Sequence, residues 1–129
     1  IPLQAHGDER GSLIALEQDK NIPFPIKRVY YIFDTQEGVT RGFHAHKELK
    51  QVAIAVKGSC RFLLDDGKEK VSFLLDNAAQ GLLIESCIWR EMSDFSEDCV
   101  LMVLADNFYD ESDYIRDYDE FLKIVKDKE

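Results

Sequence analysis

Two histidines one residue apart, His44 and His46, are the side chains of this chain best suited to moving protons. They stand in Gly38-Val39-Thr40-Arg41-Gly42-Phe43-His44-Ala45-His46, where the pattern predicts a strand over Gly42–His46. Residues two apart in a strand share a face, so the two imidazoles project side by side. Imidazole titrates near neutral pH, and either ring can accept or give a proton under cellular conditions. In the following strand, Gln51–Val56, alternation places Gln51, Ala53 and Ala55 on one face and Val52, Ile54 and Val56 on the other. The Gln and Ala face leaves room for a ligand beside the histidines, whereas Val-Ile-Val suits a packed layer. Arg41, three residues ahead of His44, supplies a guanidinium able to fork phosphate oxygens.

The elements that must hold these groups are short apolar runs separated by turn residues. Strands are expected at Ser12–Glu17, Lys27–Asp34, Gly42–His46, Gln51–Val56, Ser59–Leu64, Lys70–Leu75, Gly81–Glu85, Trp89–Met92 and Val100–Ala105. Asp65-Asp66-Gly67 is a hairpin turn, with Gly67 able to take the positive φ it requires. Asn21-Ile22-Pro23-Phe24-Pro25 is too proline-rich for an interior strand and reads as a loop or edge segment. Such a series predicts an all-β sandwich or barrel. Near the C-terminus, Ser112 is placed to cap a helix carrying Ile115, Tyr118, Leu122 and Val125 at helical spacing. That helix is expected to lie over the barrel or over a partner chain.

Composition bounds what these elements can do. A chain of 129 residues, 45% apolar and 32% charged, is expected to be a single globular domain over residues 1–129. No apolar run approaches the roughly 20 residues of a bilayer span, and no signal-peptide pattern is visible. The net charge of −9 opposes general nucleic-acid binding while leaving room for one anionic small ligand held by local arginines. Cys60, Cys87 and Cys99 show no CxxC spacing and are expected to be buried free thiols of a cytoplasmic protein.

The spacing Gly38, five residues, His44-Ala45-His46, four residues, Gln51, six residues, Gly58 resembles the first motif of the cupin superfamily. The resemblance implies a double-stranded β-helix, or jelly-roll barrel, followed here by the C-terminal α-helix. Metal cupins carry glutamate where this chain has Gln51, a poor ligand for Fe, Mn or Zn. The stretch that would hold the second motif's histidine reads Trp89-Arg90-Glu91-Met92, without a histidine, and His6 is distant in sequence. Two ligands are too few for a tight site, so no metal and no other cofactor is expected.

A narrower resemblance rests on Arg41-Gly42-Phe43-His44-Ala45-His46-Lys47, Gly58-Ser59-Cys60-Arg61-Phe62, Leu63-Leu64-Asp65-Asp66-Gly67, Trp89-Arg90-Glu91-Met92 and Tyr109-Asp110-Glu111-Ser112-Asp113-Tyr114-Ile115-Arg116. Together these look like the dTDP-4-keto-6-deoxyglucose 3,4-ketoisomerases. The resemblance implies that a ketone moves from C4 to C3 through an enediolate, with His44 as base and His46 as its partner, relaying a proton or binding a sugar hydroxyl. Tyr30 is expected to donate a hydroxyl to the oxyanion, because Tyr31 shares its strand face with Val29 and Phe33, the better core candidates. Arg41 is the expected pyrophosphate ligand, and Gln51 is expected to touch substrate. Arg10, on the turn Gly7–Ser12, and Arg90 are expected to line the sugar pocket and choose the face of C4 that is reprotonated; Arg10 inclines towards the galacto product. The resemblance also implies a homodimer with exchanged N-terminal strands. A pyridoxal-phosphate aminotransferase of glycan biosynthesis would take the product. A nucleotide-sugar 3,5-epimerase and a non-catalytic sugar-binding cupin are the alternatives.

Overall fold

The computed structural model describes residues 1–128, in which eleven strands, one 3-10 turn and one helix are found. β1 (Ala5–Asp8) and β2 (Gly11–Ile14) form a separate hairpin. β3 (Arg28–Ile32), β10 (Val100–Ala105), β5 (Gln51–Lys57) and β8 (Leu82–Ile84) make a four-stranded sheet in that order. β11 (Tyr114–Ile115), β4 (Arg41–His46), β9 (Trp89–Ser93), β6 (Cys60–Asp65) and β7 (Lys70–Leu75) make a five-stranded one. All pairings within these sheets are antiparallel, and the expected all-β jelly-roll architecture is observed. No helix among the described residues is long and apolar enough to cross a membrane.

The sheets face each other through rows set by strand alternation. Ala53 and Ala55 of β5 and Leu101 and Val103 of β10 meet Cys60 and Phe62 of β6, Leu75 of β7 and Met92 of β9. Each fully buried Val, Leu or Phe in this layer contributes about 1.5–3 kcal/mol. The opposite face of β5 presents Val52 and Ile54 to Leu3, Ile22 and Phe24, so the proline-rich loop roofs the strand. The two faces of β5 therefore divide as expected. Ala53 and Ala55 nevertheless border no open space, since larger side chains of both sheets fill the volume the alanines leave.

The most exposed expectation to fail concerns β3. Val29, Tyr31 and Phe33, read as core, are 51%, 64% and 57% exposed. β3 is the edge of its sheet, and nothing among the described residues covers its outer face, so apolar character alone mistook an uncovered face for a core one. Cys60 and Cys99 are buried free thiols, whereas Cys87 is a half-buried one on a turn at φ 61°.

The C-terminal region is also divided differently from expectation. Ser112 lies inside a 3-10 turn, Glu111–Asp113, capped by Asp110. Ile115 belongs to β11, where it is buried beside β4. The helix α1 (Tyr118–Asp127) starts later, with the Asp117 carboxylate accepting from the amides of Asp119 and Glu120. Its buried residue is Phe121, which meets Trp89, Ala45 and Ile115, while the Tyr118 hydroxyl donates to Asp65 at 2.5 Å. The helix thus lies over the barrel of its own chain.

Candidate active site

β4 delivers its first histidine through a bulge. Gly42 pairs with Glu91 and His44 with Arg90, leaving Phe43 as the extra residue. Gly42 (φ 96°) and Phe43 (φ 56°) both take left-handed backbone. A Cβ on Gly42 would stand 2.8 Å from the Arg90 carbonyl oxygen, so this close approach requires glycine. Phe43 pays about 1–3 kcal/mol of strain for a conformation that exposes its ring and turns His44 into a cleft.

His44 Nδ1 lies 3.1 Å from the Gly42 carbonyl oxygen. A carbonyl can only accept, so Nδ1 carries the hydrogen and Nε2 holds the lone pair. Burial first, then the Arg90 charge, lowers the imidazole's pKa to about 4 against the partial opposition of that carbonyl. His44 is accordingly a neutral base at physiological pH.

The cleft measures about 540 Å³, and its walls include Arg28, Tyr30, Tyr109, Tyr114 and Arg116, with Arg41 beside the bulge. The Arg28 guanidinium lies 5.3 Å from the Tyr30 ring and 5.7 Å from that of Tyr109. Arg116 sits 4.2 Å over Tyr114 and grips Glu111 with two hydrogen bonds of 2.7 and 2.9 Å. Those bonds, followed by the one from the Tyr109 hydroxyl, lower the Glu111 carboxyl to about 2. Arg116 is thus already paired. Arg28 and Arg41 have no carboxylate partner among the described residues.

A buried polar chain runs behind Tyr30. The Tyr30 hydroxyl accepts from Gln51 Nε2 at 3.1 Å, and Gln51 Oε1 accepts from Arg90 Nη1. Arg90 Nη2 donates to the Ile88 carbonyl at 2.9 Å. Both Arg90 and Gln51 are 2% exposed, and neither borders the cleft, contrary to their expected contact with substrate. Burial lowers the Arg90 pKa to about 10, which leaves it a cation.

His46 occupies a different space from its neighbour. The rings are 5.0 Å apart, but Tyr114 covers both, at 5.0 Å from His44 and 4.3 Å from His46. His46 is 1% exposed and faces a polar cavity of about 260 Å³ with Glu48, Asp106, Asp110 and Asp113. Its Nδ1 lies 3.2 Å from Asp113 Oδ2, and the same carboxylate accepts from the amides of Glu48 (2.9 Å) and Leu49 (3.3 Å). Asp113 favours the imidazolium; burial, followed by the charge of Arg90, outweighs it and lowers the pKa to about 2. The ring is a neutral donor to Asp113 through Nδ1, while its buried Nε2 has no hydrogen-bond partner among the described residues.

Of the residues expected at the site, His44, Tyr30 and Arg41 meet at the cleft; His46, Gln51 and Arg90 stand behind it. Arg10 is not brought there: it lies on the β1–β2 turn beside a separate hollow, tied to Asp8 at 2.6 Å. Arg28, Tyr109, Tyr114 and Arg116 were missed. Arg28 shares the Tyr30 face by alternation, and Tyr114-Ile115-Arg116 alternates polar and apolar residues as a strand does. Reading Ile115 as helical hid the second signal. No group of three or more His, Cys, Asp or Glu is placed to hold a metal among the described residues. Beside the histidines stand neutral Gln51 and cationic Arg90, a donor set unsuited to a metal ion.

The family described as FdtA: WxcM-like, C-terminal matches residues 1–126. A TDP-4-oxo-6-deoxy-alpha-D-glucose-3,4-oxoisomerase of Aneurinibacillus thermoaerophilus is 58% identical over 118 residues, covering 92% of this chain and 85% of the relative. Among solved structures, a 3,4-ketoisomerase from Helicobacter canadensis is 54% identical with a TM-score of 0.94, covering 97% of this chain and 94% of the other. The 3,4-ketoisomerase QdtA from Thermoanaerobacterium thermosaccharolyticum was solved as a histidine-to-asparagine mutant in complex with TDP-4-keto-6-deoxyglucose. It superposes with a TM-score of 0.97 at 43% identity, over 99% and 93% of the two chains.

Proposed function

Since this chain belongs to the FdtA family of sugar-nucleotide 3,4-ketoisomerases, a class of intramolecular oxidoreductases, we propose that it converts dTDP-4-keto-6-deoxyglucose to a dTDP-3-keto-6-deoxyhexose with His44 as the base. The observation that carries this reading is the neutral Nε2 of His44, fixed by the Gly42 carbonyl and turned into a cleft that Tyr30 also lines. The C4 ketone acidifies the C3 proton. Nε2 takes that proton, the C–H electron pair forms the C3=C4 double bond, and the C4 carbonyl electrons collect on oxygen. The Tyr30 hydroxyl supports this oxyanion. A proton passes from O3 to O4, and His44 returns its proton to C4, so the sugar undergoes no net redox change.

Arg41 and unpaired Arg28 fit the pyrophosphate, whose oxygens suit forked guanidinium donors. His46 acts by holding Asp113 and backing Tyr114 instead of relaying the substrate proton. The exposed row Val29, Tyr31 and Phe33, with exposed Leu13 on β2, supports a homodimer in which the hairpin carries Arg10 to a second copy. The three free thiols fit a cytoplasmic protein. A ketone at C3 is a substrate for amine transfer, which makes a pyridoxal-phosphate aminotransferase the fitting next enzyme.

Proton NMR of the product from dTDP-4-keto-6-deoxyglucose in D2O tests the assignment. A C3 ketone with a C4 hydroxyl is expected, and the C4 coupling reads the configuration directly. Exchange at C5 without ketone migration would establish the epimerase alternative. His44→Asn should lose about 1,000-fold in turnover while dTDP binding persists; near wild-type turnover would remove His44 from the base role.

A further inference from the structure

We propose that Arg90 and Gln51 are positioning residues that set the polarity of Tyr30, forcing its hydroxyl to donate into the cleft. The inference deepens the ketoisomerase reading and rests on it for its catalytic consequence. A guanidinium has five N–H donors and no acceptor. Arg90 therefore admits only one orientation of the Gln51 side-chain amide, with Oε1 facing Nη1. The Gln51 NH2 is then the end that faces Tyr30, and the Tyr30 oxygen must accept from it at 3.1 Å. With its buried side occupied by a donor, the phenol cannot aim its own hydrogen inward. No acceptor for that hydrogen is found among the described residues, and Tyr30 borders the cleft in front of His44.

The chain is anchored as a rigid unit. Arg90 Nη2 is bound to the Ile88 carbonyl at 2.9 Å, and both Arg90 and Gln51 are 2% exposed, so water does not compete for the bonds. The same two groups also favour charge on the Tyr30 oxygen: burial raises its pKa, while the Gln51 bond and then the Arg90 charge oppose that rise. A phenol that lends its hydrogen to a substrate oxyanion gains partial negative charge, and this chain supports it from behind.

The device explains why glutamine, not glutamate, serves at position 51. A carboxylate of the same shape would still pair with Arg90, but it would present an acceptor to Tyr30. The Tyr30 hydrogen would swing inward to it, and the cleft would lose its donor. Gln51→Glu is nearly isosteric and keeps the Arg90 bond, so it inverts polarity with little change in volume.

The test compares Gln51→Glu, Tyr30→Phe and the double variant in the full chain. Gln51→Glu should lower kcat about 100-fold with KM within about threefold, the size expected for one lost oxyanion donor. The double variant should be no slower than Tyr30→Phe alone, because both changes remove the same hydrogen bond. A Gln51→Glu enzyme within about twofold of wild type, or two losses that multiply, would overturn the relay. Spectra of the free protein labelled with 13Cζ-tyrosine give a readout independent of turnover: the Tyr30 resonance should move in Gln51→Glu and stay fixed in Lys57→Gln. Should wild type lack ketoisomerase activity while that shift occurs, the polarity relay stands and the substrate reading falls. Should Tyr30 not shift, the relay falls whatever the activity. Arg90→Met adds a case without isosteric pairing: freed from the guanidinium, the Gln51 amide can flip, and kcat should again fall with Tyr30 present and not in the Tyr30→Phe background.

Discussion

The cleft before His44 and the cavity behind His46 lie on either side of Tyr114, yet they make unlike groups of two histidines two residues apart. In front, the ring is fixed by its own backbone, its second nitrogen is free, and the surrounding groups are arginines and tyrosines. Behind, Nδ1 is engaged by a carboxylate and Nε2 is buried without a partner among the described residues, and Asp106, Asp110, Asp113 and Glu48 line a space that Arg28 also borders. A His-x-His pair is therefore not a symmetric unit. One bulge turns the first ring toward the cleft, and one carboxylate engages the second ring behind it.

The largest effects should come from inverting this division. His44→Asn is expected to lose about 1,000-fold in kcat, and His46→Asn about tenfold, the full general-base contribution against an indirect one. Steady-state kinetics on both variants checks the contrast, and equal losses would make the pair a relay after all.

Asp113→Ala should act on stability before rate. It strips the acceptor from two backbone amides and from buried His46, which costs about 1–3 kcal/mol in denaturant midpoints at unchanged dTDP affinity.

Acid should separate the two rings as well. His44 must be neutral to accept a proton, so the acidic limb of kcat/KM should fall near pH 4 and not near the ordinary histidine value of 6.5. Both folded-state pKa values lie below the unfolded one, and the unfolded chain therefore binds more protons beneath pH 6.5. Stability should decline as pH falls from 6.5 through about 4 for His44, and on towards about 2 for His46. Chemical denaturation at pH 7 and pH 5 measures this slope, which His46→Asn should reduce.

The smallest effect is expected at the rim. Arg41→Ala should weaken dTDP binding about tenfold, the loss of one charge-assisted contact, with little change in kcat. Isothermal titration checks it.

Much of this arrangement was legible in local pattern. Alternation over Lys27–Asp34 put Tyr30 on the site face, and the spacing from Gly38 to Gly58 marked the strand pair around His44. The same alternation misjudged Val29, Tyr31 and Phe33, because a two-residue period separates faces without saying which face is covered. It also failed at Phe43. The period of two predicts that His44 and His46 share a face, which they do, but the left-handed backbone at Gly42 and Phe43 decides where that face points. Ser112 misled through capping chemistry that Asp110 and Asp117 also possess, and the short β11 between them was hidden within a helical spacing.

What the residues alone determined was chemistry: an imidazole base, a phenol, free guanidiniums, and neutral Gln51 where a metal ligand would stand. Those properties belong to covalent structure and short-range periodicity. How the groups are shared out depends on contacts distant in sequence, since Asp113 reaches His46 across 67 residues of chain and Arg90 reaches Gln51 across 39. Hydrogen-bond polarity and burial are properties of such distant pairs, and they place two chemically equivalent histidines in unlike surroundings.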